Sequence, residues 1–194
     1  GHVVLKEFFL DRRTPYFEDY CRRLTDLPML VRLRKDGDRF VPDRYVRASD
    51  FDGALGAANN PEWKTVAFDE AGGIVLPNGS IGFRWGPDGR ADAGRWNLEA
   101  MDARGGWEVR LGLSLLEGTN PSGETARVGF PYFGGIESEH FPHNASGGNV
   151  LVRTVPVRRL TLGVAGKTAL VATVFDLQAA NYGIARGLPG ELAA

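Results

Sequence analysis

Hydrophobic and polar positions change period several times along the 194 residues. Val3, Val4, Phe8 and Phe9 lie on one helical face, which Asp11-Arg12-Arg13 ends. Thr14-Pro15 restarts a helix, with threonine as N-cap and proline at its first position. Tyr16, Phe17, Tyr20, Cys21 and Leu24 then fall at i, i+1, i+4, i+5 and i+8, one apolar stripe. Pro28 blocks continuation. Met29–Leu33 and Arg39–Val41, joined by Lys35-Asp36-Gly37-Asp38, predict a hairpin whose Leu30, Arg32 and Arg34 side is polar. Ser49 is placed to cap a short helical piece from Asp50 to Leu55.

From Asn60 to Glu99 short β-type runs are broken by Asp-Glu-Ala-Gly-Gly, Pro-Asn-Gly and Gly-Pro-Asp-Gly, the pattern of a meander of hairpins. Val75 and Ile81 flank Pro77-Asn78-Gly79, where Asn-Gly accepts the positive φ of a tight turn. Trp63, Trp85 and Trp96 are expected to give this small β layer its apolar area. Alternation of Trp107, Val109, Leu111, Leu113 and Leu115 predicts a half-buried strand. Residues 117–125 and 136–148 are polar loops. Between them Val128–Gly135 carries a proline that confines it to an edge or an irregular extended piece.

Order returns with the runs Val150–Val155 and Val157–Leu162, bent at Pro156, and with a turn at 163–167. Thr168–Thr173 is extended; Val174–Tyr182 takes helical spacing, with Gly183 as C-cap. The fold class is therefore α+β, with N-terminal helices, an antiparallel β-rich middle and a short C-terminal helix. Neither an internal repeat nor an interdomain linker is visible.

Composition narrows the function classes. A chain of this length can bury roughly 70% of its unfolded surface. The 26 glycines and 11 prolines, about 19% of the residues, stay below the roughly 25–30% that marks low complexity. With 23 basic and 24 acidic residues no global field favours nucleic acid or an anionic membrane. Arg12-Arg13, Arg22-Arg23 and Arg158-Arg159 are pairs, which solvent or internal carboxylates satisfy. No run of 18 apolar residues and no signal-peptide pattern is present.

Candidate chemistry is sparse. Cys21, the single cysteine, forms no internal disulfide, cannot hold an iron–sulfur cluster, and sits on an apolar stripe as an inert thiol. His140 and His143 are three apart, but Pro142 and the nearby glycines place them in a loop without a third ligand. Ser138 beside His140 is a weak nucleophile–base pair. Asp50 and Asp52 point apart on a helix. Gly72-Gly73 and Gly134-Gly135 read as turn residues, and no phosphate-binding glycine motif is present. The Asn78-Gly79-Ser80 and Asn144-Ala145-Ser146 acceptor patterns are short enough to arise by chance.

NPEWKTVA, PNGSIGFRWG and RWNLE, in that order, resemble the catalytic (alpha) subunit of respiratory molybdenum nitrate reductases, of the molybdopterin oxidoreductase superfamily. GHVVLKEFFLD, YCRRLTDLPMLVRL, RASD, VGFPYFGG, VPVRRL and VATVFDLQAANYG extend the resemblance from Gly1 to about Leu188. It implies a piece of a large multidomain enzyme that reduces nitrate to nitrite at a molybdenum held by two molybdopterin guanine dinucleotides. A 4Fe-4S cluster would lie nearby, and electrons would arrive from an iron–sulfur (beta) subunit. A membrane haem subunit would join indirectly, holding the complex on the cytoplasmic face of a bacterial inner membrane. In that family the metal-ligating residues lie upstream of the matched region, so no catalytic or metal residue is assigned to this chain and its cofactor contacts are unknown. By resemblance, residues 1–27 are a helical part of the cofactor-binding core, 28–173 a β-rich insertion, and 174–194 the return to the core.

Gly1, without a methionine and inside a helical pattern, adds the expectation of an internal fragment. Such a fragment is expected to expose the Tyr16–Leu24 stripe and the face carrying Phe175 and Leu177. The alternative is a free-standing β-rich binding module whose tryptophans form a ligand platform; a hydrolase relying on carboxylates and His140 comes third.

Overall fold

The computed structural model describes residues 12, 14–55, 61–78, 101–102, 109–115, 124–131, 152–164 and 166–182. Helix α1 spans Pro15–Leu24. Strands β1 (Leu30–Asp36) and β2 (Arg39–Tyr45) follow as the expected hairpin. Gly37 takes φ +62° in its turn, a left-handed conformation that costs a glycine no Cβ clash. Thr14 occupies the N-cap, but only its carbonyl serves the helix, accepting from the amides of Phe17 and Glu18.

Six strands form one sheet in the order β8, β7, β2, β1, β10, β9. The last four of these by sequence are β7 (Thr125–Pro131), β8 (Val152–Arg158), β9 (Leu160–Val164) and β10 (Lys167–Thr173). All neighbours are antiparallel except β2 and β7, which meet in parallel at Phe40 and Val128. Around this sheet lie two short ladders: β3 (Ala67–Phe68) with β4 (Ile74–Val75), and β5 (Pro77–Asn78) with β6 (Met101–Asp102).

The period of two sorts the apolar side chains between the two sheet faces. Val31, Leu33, Ala126, Val128, Phe130, Val157 and Ala172 form one cluster with Cys21 and Leu27, and with Val174, Phe175 and Leu177 of α2 (Val174–Tyr182). Leu30, Val171 and Leu162 instead join Val46, Phe51, Leu55, Val66 and Leu76 in a second cluster. Helices therefore cover one face, and the 3₁₀ turn Ala48–Phe51 with the β3–β4 hairpin covers the other. Leu30, Val46 and Val66 close a ring of backbone hydrogen bonds between the layers, each amide donating to the next carbonyl at 2.8–3.0 Å.

The two ends of the β-rich region meet. Leu30 pairs with Thr173 across β1 and β10, while Val174 N donates to Met29 O and Phe175 N to Leu27 O, each at 3.0 Å. The chain thus enters β1 and leaves β10 at one place, between α1 and α2.

Several expectations need correction. Asn78 is a strand residue paired with Met101, with Pro77 opposite Asp102, so Asn78 does not make a tight turn; Gly79 and Ile81 lie outside the described residues. The hairpin that does form uses Asp-Glu-Ala-Gly-Gly, with Gly72 at φ +84°. Trp63 gives the core nothing, being 78% exposed; the other tryptophans are not among the described residues. The 109–115 segment makes one bridge, Asp69 with Leu111, and then bends. From Leu111 to Leu115 every residue is buried, so alternation there reflects enclosure on both sides and not a half-exposed strand.

Proline also behaves differently. β7 is an interior strand, because Pro131 stands at its end, beyond the single bridge to β2. β8 runs straight through Pro156; on this outer strand of the described sheet a missing N–H need not break a ladder. The break between β8 and β9 falls at Arg159. Asp50, not Ser49, secures the 3₁₀ turn by accepting from the amide of Arg47 at 2.9 Å. On the predicted polar side of β1, Arg34 is exposed and Arg32 half-buried, but Leu30 is fully enclosed. Phe175 and Leu177 are buried within this chain, and of the Tyr16–Leu24 stripe Cys21 is buried too, so only Tyr16, Tyr20 and Leu24 are exposed as expected.

Candidate functional site

The densest buried polar chemistry lies where α2 leaves the sheet. Thr173 Oγ1 accepts from the amide of Asp176 at 3.0 Å, half of a capping box at the start of a helix. The Asp176 carboxylate, wholly buried, accepts the Ser114 hydroxyl at 2.6 Å and the Leu115 amide at 2.9 Å. Its negative charge also faces the positive end of the α2 dipole. The threonine–aspartate spacing was a legible helix-start signal, and Ser114 was the one polar break in Leu-Gly-Leu-Ser-Leu. Neither was singled out from the sequence.

Beside this knot is a cavity of about 140 Å³ bordered by Phe68, Asp69, Gly112, Ser114, Leu160 and Thr173. Asp69 is occupied locally, its Oδ1 accepting from the Gly73 amide at 2.7 Å. The serine hydroxyl here donates to a carboxylate and has no imidazole to take its proton among the described residues, so the arrangement holds chain segments together and does not form a nucleophile–base pair.

A second buried group ties α1 to the same region. Arg22, 6% exposed, donates from Nη1 to Leu111 O at 2.5 Å and lies 3.7 Å from Glu70 Oε1. Arg110 Nε donates to that same Glu70 oxygen at 2.6 Å, which raises the Arg110 pKa. The Arg22-Arg23 pair is internally satisfied as expected, since Arg23 bridges Asp19 at 2.8 Å. Arg159 likewise meets Glu124 at 2.7 Å.

Asp50 and Asp52 act separately. Burial pushes Asp50 up, but the Arg44 guanidinium and the Arg47 amide outweigh it and hold the carboxyl below its usual range. Asp52 pairs with Lys167 at 2.6 Å. Asp50, Lys167 and Arg32, the last paired to Asp43, border a cleft of about 390 Å³ beside Ser49 and Thr168. Its cations are neutralised by their own carboxylates.

Cys21 is buried, and burial pushes its thiol up to about 11. Among the described residues no three His, Cys, Asp or Glu side chains cluster as metal ligands. His2, His140, His143, Ser138 and Gly134-Gly135 lie outside the described residues.

No protein-family model matches the chain. It is 53% identical over 188 residues to the respiratory nitrate reductase 1 alpha chain of Escherichia coli (strain K12), a match covering 97% of this chain and 14% of the relative. It is 39% identical over 193 residues to the nitrate reductase alpha subunit of Mycobacterium tuberculosis, covering 98% and 14%. Against the nitrate reductase alpha chain of Bacillus subtilis (strain 168) it is 33% identical over 195 residues, covering 100% and 14%. Fold and match together define an α+β segment of a much longer chain. The chain belongs to the nitrate reductase alpha-chain family, and spans about 14% of the length of the relatives it matches.

Proposed function

We propose that this segment serves as a structural part of the catalytic chain of a respiratory nitrate reductase. The whole enzyme would convert nitrate to nitrite, the lost oxygen leaving as water after uptake of two electrons and two protons. A molybdenum centre with two pterin guanine dinucleotides and a neighbouring 4Fe-4S cluster would supply that chemistry. By resemblance, the residues that ligate both metals lie in parts of the relatives outside the matched segment. An iron–sulfur electron-transfer subunit and, through it, a membrane haem subunit would be partners at the cytoplasmic face of a bacterial inner membrane. No helix among the described residues is long and apolar enough to cross that membrane.

The observation that carries this reading is identity of 53% across 97% of the chain. Residues 28–173 would form the β-rich insertion, with 1–27 and 174–194 belonging to the core on either side. Its role is architectural: buried Arg22 and Asp176 lock the helices to the sheet and hairpin.

The test is an exchange. The matched segment of the complete E. coli alpha chain is replaced by these 194 residues, and nitrate reduction by a reduced dye is measured in the assembled complex. Activity close to that of the parent is expected. A stably folded, cofactor-loaded exchange chain without activity would overturn the proposal.

A further inference from the structure

Helix α1 is built inside out. Its buried side consists of Cys21 and the charged Arg22, with Phe17 and Glu18 half-buried. Its outward side carries Tyr16, 81% exposed, with Tyr20 and Leu24 also exposed. These three stand at i, i+4 and i+8, neighbours along one line of the helix surface. An amphipathic surface helix normally turns its apolar stripe to the core and its charges to water. Here a guanidinium is desolvated inside, while two tyrosine rings and a leucine face out. Phe17 continues the line inward, its ring stacked on Tyr20 at 6.2 Å between centroids and 13° between planes.

We propose that the Tyr16–Tyr20–Leu24 line is a docking seam for an apolar surface of the same polypeptide, supplied by the part of the alpha chain outside this segment. This rests on the reading that the segment works within a nitrate reductase alpha chain. Three observations select that occupant. The relatives carry about six-sevenths of their length outside the match, so abundant polypeptide exists to cover the seam. The charges flanking it cancel, since Arg23 and Asp19 pair with each other at 2.8 Å, which leaves a partner selected by apolar shape and not by charge. Size decides the rest. Three side chains offer about 400 Å² at most, about half of the roughly 800 Å² that each partner buries in a stable complex between separate molecules. So small a seam is sufficient only where covalent linkage supplies a high effective concentration.

The experiment uses the complete exchange chain described above, with photo-reactive p-benzoylphenylalanine placed at Tyr16 or at Tyr20. Irradiation of the assembled complex and peptide mapping should find both positions cross-linked within the same polypeptide, to apolar residues outside the exchanged segment. Cross-links to a separate subunit, to a second copy of the chain, or only to the segment itself would each overturn the seam. The same probes at the aligned positions of the unexchanged E. coli chain give the reading in a protein that folds without any exchange. Nitrate reduction is scored separately. An active chain lacking these cross-links defeats the seam and leaves the functional assignment standing, whereas loss of activity with the cross-links intact defeats the functional assignment.

Discussion

The carboxylate of Asp176 accepts the hydroxyl of Ser114 at 2.6 Å, joining residues 62 positions apart in a fully enclosed site. Replacing Asp176 by alanine strands two buried donors, Ser114 Oγ and the Leu115 amide, and removes a favourable charge at a helix start. The expected loss is about 2–4 kcal/mol. Asp176→Asn keeps one acceptor and should cost roughly half as much. Ser114→Ala, which leaves the carboxylate its Leu115 bond, should cost about 1–2 kcal/mol. Urea unfolding of the three variants tests the order; an Asp176→Ala protein as stable as the parent would remove the knot from any structural role.

Arg22 should behave differently from the exposed arginines. Arg22→Met retains most of the buried stem but withdraws the donor from Leu111 O, with an expected cost of about 1–3 kcal/mol. Its attraction to half-exposed Glu70 is weaker. A double-mutant cycle between Arg22→Met and Glu70→Gln should return a coupling below about 1 kcal/mol. A coupling above that would show the ion pair, and not the carbonyl contact, to be what fixes α1.

Alkaline stability follows from two groups. Burial raises Cys21 from 9.0 to about 11. Burial, aided by the hydrogen bond to Asp26, raises Tyr45 from 10.0 to about 12. Both folded-state values lie above the unfolded ones, so the neutral forms stabilise the fold fully below pH 9, and the advantage is lost as pH rises through 9–11 for Cys21 and 10–12 for Tyr45. The Cys21 share cannot exceed about 2–3 kcal/mol. Melting temperature should hold from pH 7 to 9 and fall between 9 and 11, and Cys21→Ala should flatten the first part of that fall. The thiol should also react with a disulfide reagent at pH 8 far more slowly in the native protein than in urea.

Turn chemistry can be read at Gly37. At φ +62° with no atom within 4 Å of a Cβ built there, a substitution meets backbone strain alone. Gly37→Ala should cost about 1 kcal/mol and Gly37→Asn less, since asparagine tolerates the left-handed region. Equal melting temperatures for glycine and alanine would contradict this.

Local signals were legible, and the long-range ones were not. Thr14-Pro15, Lys35-Asp36-Gly37-Asp38 and the switch of period after Thr173 located α1, the first hairpin and α2, because each depends on residues within a turn of one another. The family resemblance, too, was fully visible in strings such as NPEWKTVA. Pairing across distance escaped. Nothing near Asn78 announces that Met101 will sit opposite it, and nothing in the Leu111–Leu115 run distinguishes a half-buried strand from a segment enclosed on both sides. The stripe on α1 was seen correctly as apolar, but periodicity alone does not say which way a helix faces. The buried polar groups were missed for the same reason, since Arg22 and Ser114 acquire their meaning only from residues far along the chain.

The closure of β1 on β10 has a consequence for how the chain is made. Leu30 emerges from a ribosome well before its ladder partner Thr173, which is among the last described residues to appear. At about 5–20 residues per second, β1 waits on the order of ten seconds with one edge open. Meanwhile it can pair with β2, which follows at once, but neither cluster can be completed before Val171 and Ala172 arrive. Assembly is therefore timed by its far end, and a stall in translation before β10 would hold an apolar half-sheet exposed for as long as the stall lasts.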